Sequence, residues 1–184
     1  MDQLKPRRFL NVLPYSLLVG TFASILIHYN FLVGMGVYFI MQIMLIISFS
    51  GIINLQPKVL FSKKNLVTSL IIIGAWLTYM LIVFFWLILP GLEGILLYLV
   101  PIYIISLITM GMISYFQLPY KERPLGLRTD LALGATSFVF SDTMIGITFA
   151  HPFAYSPAII QPTFVLAIAL ITSAILFQPK KKEN

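Results

Sequence analysis

The sequence predicts an all-α, polytopic membrane protein: a single domain over residues 1–184, built as a bundle of six transmembrane helices with both termini cytoplasmic. Three observations carry this reading. Of 184 residues, 59% are apolar or aromatic and only 10% are charged, against about 25% charged in a soluble domain. Residues 9–57, 65–92, 94–120 and 143–179 contain no formal charge at all. The twelve Lys and Arg residues sit only in alternate connections and at the two ends. With a mean hydropathy of +0.96, there are too few polar groups to cover a soluble surface. A soluble enzyme, a disordered tail and a coiled coil are thereby excluded. The chain has no cysteine, which removes disulfides, thiolate metal sites and cysteine nucleophiles.

A spanning helix needs about 20 mostly apolar residues. The first charge-free stretch holds two, broken at His28-Tyr29-Asn30: helix 1 at about 9–27 and helix 2 at about 31–53. Helix 3, about 66–89, is stopped by Pro90-Gly91. Helix 4, about 94–116, ends before Pro119. Helix 5, about 130–149, is expected to start at Thr129-Asp130, where either side chain suits an N-cap. His151-Pro152 breaks the chain, and helix 6, about 157–177, ends at Gln178-Pro179. The apolar run of helix 1 is longer than the core of a cleaved signal peptide, so it counts as a span.

The charges orient these spans. Lys5, Arg7 and Arg8 precede helix 1; Lys58, Lys63 and Lys64 separate helices 2 and 3. Lys121, Arg123 and Arg128 separate helices 4 and 5; Lys180, Lys181 and Lys182 follow helix 6. Every basic residue therefore lies on one side, which the positive-inside rule makes cytoplasmic in a multi-pass protein of the cell membrane. Topology accounts for the net charge of +6 without a nucleic-acid partner. The expected partners of these residues are membrane lipids, through anionic headgroups.

A charge at the bilayer centre costs at least ~2.5–3.5 kcal/mol, so intramembrane carboxylates need a reason. Of the six acidic residues, only Asp142 lies well inside a span. Its helical neighbourhood is rich in small residues (Gly134, Ala135, Ser137, Ser141, Gly146), which let membrane helices approach closely. Helix 5 is thus expected at the centre of the bundle with Asp142 facing inward. Asp142 serves either as a functional acid or as a hydrogen-bonding tie between helices. His28, Glu93 and His151 share the outer half with it, and the four together would line an outward-opening cavity. A carboxyl with imidazoles is a workable acid–base set; hydration at the interface is the simpler role for each loop residue. Ser141 adjoins Asp142. Gln42, the costliest uncharged residue in a span, demands an interhelical partner or a place in a cavity wall. Trp86, near the outer end of helix 3, fits an interfacial anchor. No metal-ligand spacing, phosphate loop or nucleophile elbow occurs, so no metal and no cofactor are expected.

The segment Leu133-Gly134-Ala135-Thr136-Ser137-Phe138-Val139-Phe140-Ser141-Asp142-Thr143-Met144-Ile145-Gly146 resembles the "GALLFxxSDxLLA" stretch of the YhhN-like, or lysoplasmalogenase, family of membrane proteins. Phe31–Phe39 is similar to that family's "FLLGLGAF" helix start, Pro101-Ile102-Tyr103 with Met110 to its "PVxxYxxxxxxM" helix, and Thr163–Ala167 to its "TYYLAQ" helix. The resemblance runs over about residues 15–177 and corresponds to the last six of the family's usual eight spans. It implies an integral membrane hydrolase that cleaves the vinyl-ether bond of a lysophospholipid, releasing a fatty aldehyde. It also implies two intramembrane aspartates as an acid–base pair, with Asp142 as one. The other would stand on helix 1, where this chain reads Val19-Gly20-Thr21-Phe22-Ala23-Ser24-Ile25. A family His aligns with Gln42, and a family Gln with Ile168. Glu93 and His28 are candidates for the second group.

Three functions remain open from sequence. The first is a lysoplasmalogenase-like ether hydrolase with Asp142 as general acid. The second is a non-catalytic lipid- or solute-binding or transport protein with Asp142 in its cavity. The third is a structural partner of another membrane protein. The first needs Asp142 beside a second titratable group in a lipid-accessible cavity, the second a polar path, and the third a fully satisfied Asp142 with no cavity.

Overall fold

A computed structural model describes residues 12–53, 56–119 and 123–176. Among these there are helices and turns but no strands, and six helices are long and apolar enough to cross a membrane. Lys5, Arg7, Arg8, Lys121, Lys180, Lys181 and Lys182, the expected start of helix 1 and the Gln178-Pro179 stop lie outside the described residues.

Helix α1 (Val12–Tyr29) buries Leu13, Ser16, Gly20 and Ala23, a stripe at helical spacing. Small residues on that stripe bring α2 close: a Cβ at Gly20 would stand 2.4 Å from the Met41 sulfur. Helix α2 (Phe31–Ile53) follows after a single residue. That residue is Asn30, whose Oδ1 accepts the Val33 N–H at 3.1 Å and so caps α2. A one-turn helix, Pro57–Leu60, then bridges to α3. Asn65 Nδ2 donates to Val59 O and Ser69 Oγ to Leu60 O, pinning the turn to the start of α3.

Helix α3 (Leu66–Ile82) does not stay α-helical to Leu89. It widens into a π-helical turn over Val83–Ile88 and then tightens into a 3-10 turn over Leu89–Gly91. Pro90 is the physical reason: it has no N–H, and its ring collides with the carbonyl one turn back, so the preceding turn opens. The widened turn buries Val83 and Ile88. Gly94, at φ +57°, supplies the left-handed residue that sends the chain into α4 (Leu96–Tyr115).

Helix α5 (Leu125–Ala150) starts five residues before the expected start at 130, so Thr129-Asp130 is not its N-cap. Pro124, at φ −52°, stands at the N-cap position instead. Arg128 is tolerated inside because its guanidinium folds back onto Leu118 O at 2.6 Å, and Thr129 bonds back to Leu125 O at 2.9 Å. Asp130, freed from capping, accepts from Ser173 of α6 (Ser156–Leu176). Ser141 Oγ donates to Ile160 O, and Gly134 lets Ile171 approach. α5 with α6, and α1 with α2, are the most closely packed pairs.

The three short turns, α1–α2, α3–α4 and α5–α6, meet at one end of the bundle. Phe31 stacks on Phe149 with ring centroids 4.2 Å apart, and Gly91 lies against Ala150. Lys58, Lys63, Lys64 and Arg123 belong to the connections at the opposite end, and Arg128 to the first turn of α5 there. Helices α2, α4 and α5 form the interior, as 39%, 44% and 50% of their spanning windows are buried. For α1, α3 and α6 the figures are 22%, 22% and 17%. Helix α5 is therefore central, and its Asp142 faces inward with 5% exposure.

Candidate functional site

Asp142 stands seventeen residues into α5, about 26 Å along its axis and two turns short of the end that carries Phe149. Gln42 of α2 donates from Nε2 to its Oδ2 at 3.1 Å. The Tyr103 hydroxyl of α4 donates to the same oxygen. Ser106, one turn along α4 from Tyr103, places its hydroxyl against Gln42 Oε1 and against Tyr103 O. That contact fixes the Gln42 amide so that its NH2 faces the carboxyl. Next to Asp142, Thr143 accepts from the Tyr79 hydroxyl of α3 at 2.8 Å. Three helices thus converge on two adjacent residues of α5.

The other carboxyl oxygen has a different fate. Asp142 Oδ1 is buried and has no hydrogen-bond partner. Asp142 lines a narrow inner cavity of about 50 Å³, with Tyr38, Tyr79, Tyr103 and apolar side chains around it. That space holds a few water-sized groups, about three to five at about 10–15 Å³ each. Phe31 and Phe149 close it toward the turn end. Tyr38 is held in place by edge contacts with Phe138 and Phe164.

A second, larger space lies beyond that wall. A fissure of about 750 Å³ runs between α1 and α6 and is floored by α2 and α5. Ser141, the neighbour of Asp142, lines this fissure rather than the inner cavity. His28 stands at its rim and is exposed. A third groove, about 420 Å³, lies between α3 and α5 and is bordered by Trp76, Tyr79 and Tyr115.

The expected constellation is therefore redrawn. Gln42 reaches Asp142. Glu93 and His151 are exposed in their turns, and neither they nor His28 hydrogen-bond to the carboxyl. The reason is depth: Asp142 sits two turns below the turn end, behind the Phe31–Phe149 stack. Ser141 faces α6 because adjacent residues on a helix point about 100° apart. Trp86 is 76% exposed on α3, as an interfacial anchor requires. No cluster of three His, Cys, Asp or Glu residues occurs among the described residues. The partners that sequence reasoning passed over are Tyr103, Ser106, Tyr38, Tyr79 and Thr143. Their signal was periodic: Tyr103 with Ser106 on α4, and Tyr38 with Gln42 on α2, each share a face.

A six-span helical bundle with one buried carboxyl at the meeting point of its inner helices defines a class of polytopic membrane protein built around an intramembrane acid. The chain belongs to the YhhN family, whose model matches residues 7–175. That family includes lysoplasmalogenases. No curated protein and no solved structure matches the chain.

Proposed function

We propose that this protein hydrolyses the vinyl-ether bond of a lysophospholipid, with Asp142 as general acid. The observation that carries the reading is the asymmetry of the carboxyl. Oδ2 already accepts from Gln42 and Tyr103, so in the neutral acid the proton belongs on Oδ1. Oδ1 is the oxygen without a protein partner, on a residue that lines the cavity. The acid thus offers its proton to whatever occupies that cavity.

The chemistry follows with one carboxyl. Oδ1–H protonates the alkene carbon remote from the ether oxygen, leaving a cation stabilised by that oxygen. Tyr103 and Gln42 stabilise the carboxylate as it forms, because donors aimed at developing charge act strongly in a dry site. Water adds to the cationic carbon and returns a proton to Asp142. The hemiacetal then transfers its hydroxyl proton to the glycerol oxygen as the C–O bond breaks, releasing an aldehyde and a glycerophospho-alcohol. Asp142 acts as acid and then as base, which suits a chain whose helix 1 carries Gly20-Thr21 where a second aspartate is implied. Purified protein given a vinyl-ether lysophospholipid should release aldehyde, and Asp142→Asn should not. Unchanged release by Asp142→Asn would overturn the assignment.

The second reading, a non-catalytic lipid binder, is favoured by the absence of a second carboxylate at Asp142 among the described residues. It predicts lysolipid binding without turnover. Both readings share one topology, with N and C termini cytoplasmic in the cell membrane, supported by the one-sided basic residues. The chain has no cysteine, so single replacements report directly. In intact cells, an impermeant maleimide should label Tyr155→Cys and spare Lys64→Cys; the reverse pattern would invert the orientation.

A further inference from the structure

The inner cavity, at about 50 Å³, is too small for a lipid chain, and the fissure beside it is not. Five residues line both: Ile27, Phe31, Tyr38, Ile145 and Phe149. The two spaces are therefore separated by a wall one side chain thick, and the Phe31–Phe149 stack is its upper part. On α2, Phe31 lies two turns from Tyr38; on α5, Phe149 lies two turns from Asp142. Each aromatic thus stands about 10 Å closer to the turn end than the polar group behind it.

The fissure has the dimensions of a lipid site. Its volume of about 750 Å³ falls within the roughly 300–1,000 Å³ of ordinary ligand pockets. Its turn end carries His28, Thr148 and Ser156, and Gln161 lines it about midway down. Its depth, from Ser156 to Val165 on α6, is about 14 Å, half of the ~30 Å hydrocarbon core. It reaches through one leaflet and opens sideways to the bilayer past Ile25 and Val165, which are 52% and 65% exposed.

We propose that the α1–α6 fissure seats the hydrocarbon chain of a single-chain amphiphile admitted sideways from the bilayer, and that the Phe31–Phe149 stack is the door between this seat and Asp142. The occupant follows from continuity: the fissure shares that wall with the cavity lined by Asp142, the buried carboxyl with an unpartnered oxygen. Polar groups at the rim suit a headgroup, and apolar walls one leaflet deep suit one chain. This assignment deepens the hydrolase reading and rests on it for the role of Asp142, but occupancy of the fissure is measured without turnover.

The probe is a lysophosphatidylcholine with a diazirine on its acyl chain, irradiated with the purified full-length protein and mapped by peptide mass spectrometry. Labels should concentrate on α1 and α6 at Ile25, Phe164 and Val165. Unlabelled lysophosphatidylcholine should compete, and diacyl phosphatidylcholine should not. Val165→Trp, which fills the seat from an exposed position, should cut labelling about tenfold. Phe149→Ala, at a position already 40% exposed, should let a methyl-branched chain label Tyr38 as well as a straight one does. Even labelling of every lipid-facing surface, Leu70 and Leu81 included, with no effect of Val165→Trp, would overturn the proposal. Competition by diacyl lipid equal to that by lysolipid would overturn it too. Fissure labelling by a protein that releases no aldehyde would uphold the seat and sink the hydrolase reading.

Discussion

Helices α3 and α5 invert the relation between hydrophobicity and burial that holds in soluble proteins. α3 has the highest mean hydropathy of the six spans, 2.4, yet only 22% of its window is buried; α5 has the lowest, 1.3, and 50% is buried. The reason lies in the solvent. Lipid tails are as apolar as Leu, so an outer helix loses nothing by exposing apolar side chains, whereas polar groups are retained only where other helices satisfy them. Hence α5 carries Ser141, Asp142 and Thr143 within its span, all buried and all facing partners. The outer helices present Phe22, Ile71, Leu81 and Val165 to the bilayer.

This division of labour can be broken at its strongest point first. Asp142→Asn keeps the size of the side chain and removes the acid. Aldehyde release should fall by about 10²–10⁴-fold, the usual contribution of a positioned acid or base, while the protein still purifies as a folded species. Phe138→Ala attacks the packing of the inner helices. Phe138 is fully buried between Tyr38 and Phe164, and its truncation should cost about 3–5 kcal/mol in detergent unfolding. The control is Phe22→Ala on α1, 64% exposed to lipid, which should stay within about 0.5 kcal/mol. Equal losses for the two would erase the distinction between inner and outer helices. Tyr103→Phe sharpens it further by removing one donor to Asp142 Oδ2. A hydrogen bond to a charged group is worth about 1.5–3 kcal/mol, so kcat should drop roughly 10- to 100-fold with KM little changed. The smallest effect belongs to Gln42→Leu against Gln161→Leu. The first should lower stability by about 1–3 kcal/mol, because it leaves Asp142 and Ser106 short of a partner. The second, on the exposed side of α6, should change stability by less than about 0.5 kcal/mol.

Particular residues show where sequence reading succeeded and where it stopped. Asn30 and Pro90-Gly91 were legible because each breaks a helix by local chemistry, a cap in one case and a missing N–H in the other. Asp142 was legible because a lone carboxyl in an apolar span is costly wherever it stands. Gln42 was legible for the same reason, as a group in need of a partner. The start of α5 was misjudged because Thr129-Asp130 resembles an N-cap locally, whereas Pro124 offers an earlier start and Arg128 finds a carbonyl to hold. His28, Glu93 and His151 share the outer half with Asp142, but two turns of helix and the Phe31–Phe149 stack stand between them. Counting residues places a group in one half of the bilayer; it does not show which side chains pack in between.

The sequence by itself determined six apolar spans, their breaks, basic residues confined to alternate connections and ends, and the one acid well inside a span. All of these depend on composition and on local backbone chemistry against a solvent of known thickness. Only the tertiary structure decided that α2, α4 and α5 are the inner helices and that Tyr103 and Gln42 share one carboxyl oxygen. It also decided that the other oxygen is left unpartnered behind two stacked phenylalanines. Those facts depend on which helix faces meet, and in a bundle whose every surface is apolar, hydrophobicity does not choose among faces. Small residues, hydrogen-bond partners and shape do, and they act only once the helices are side by side.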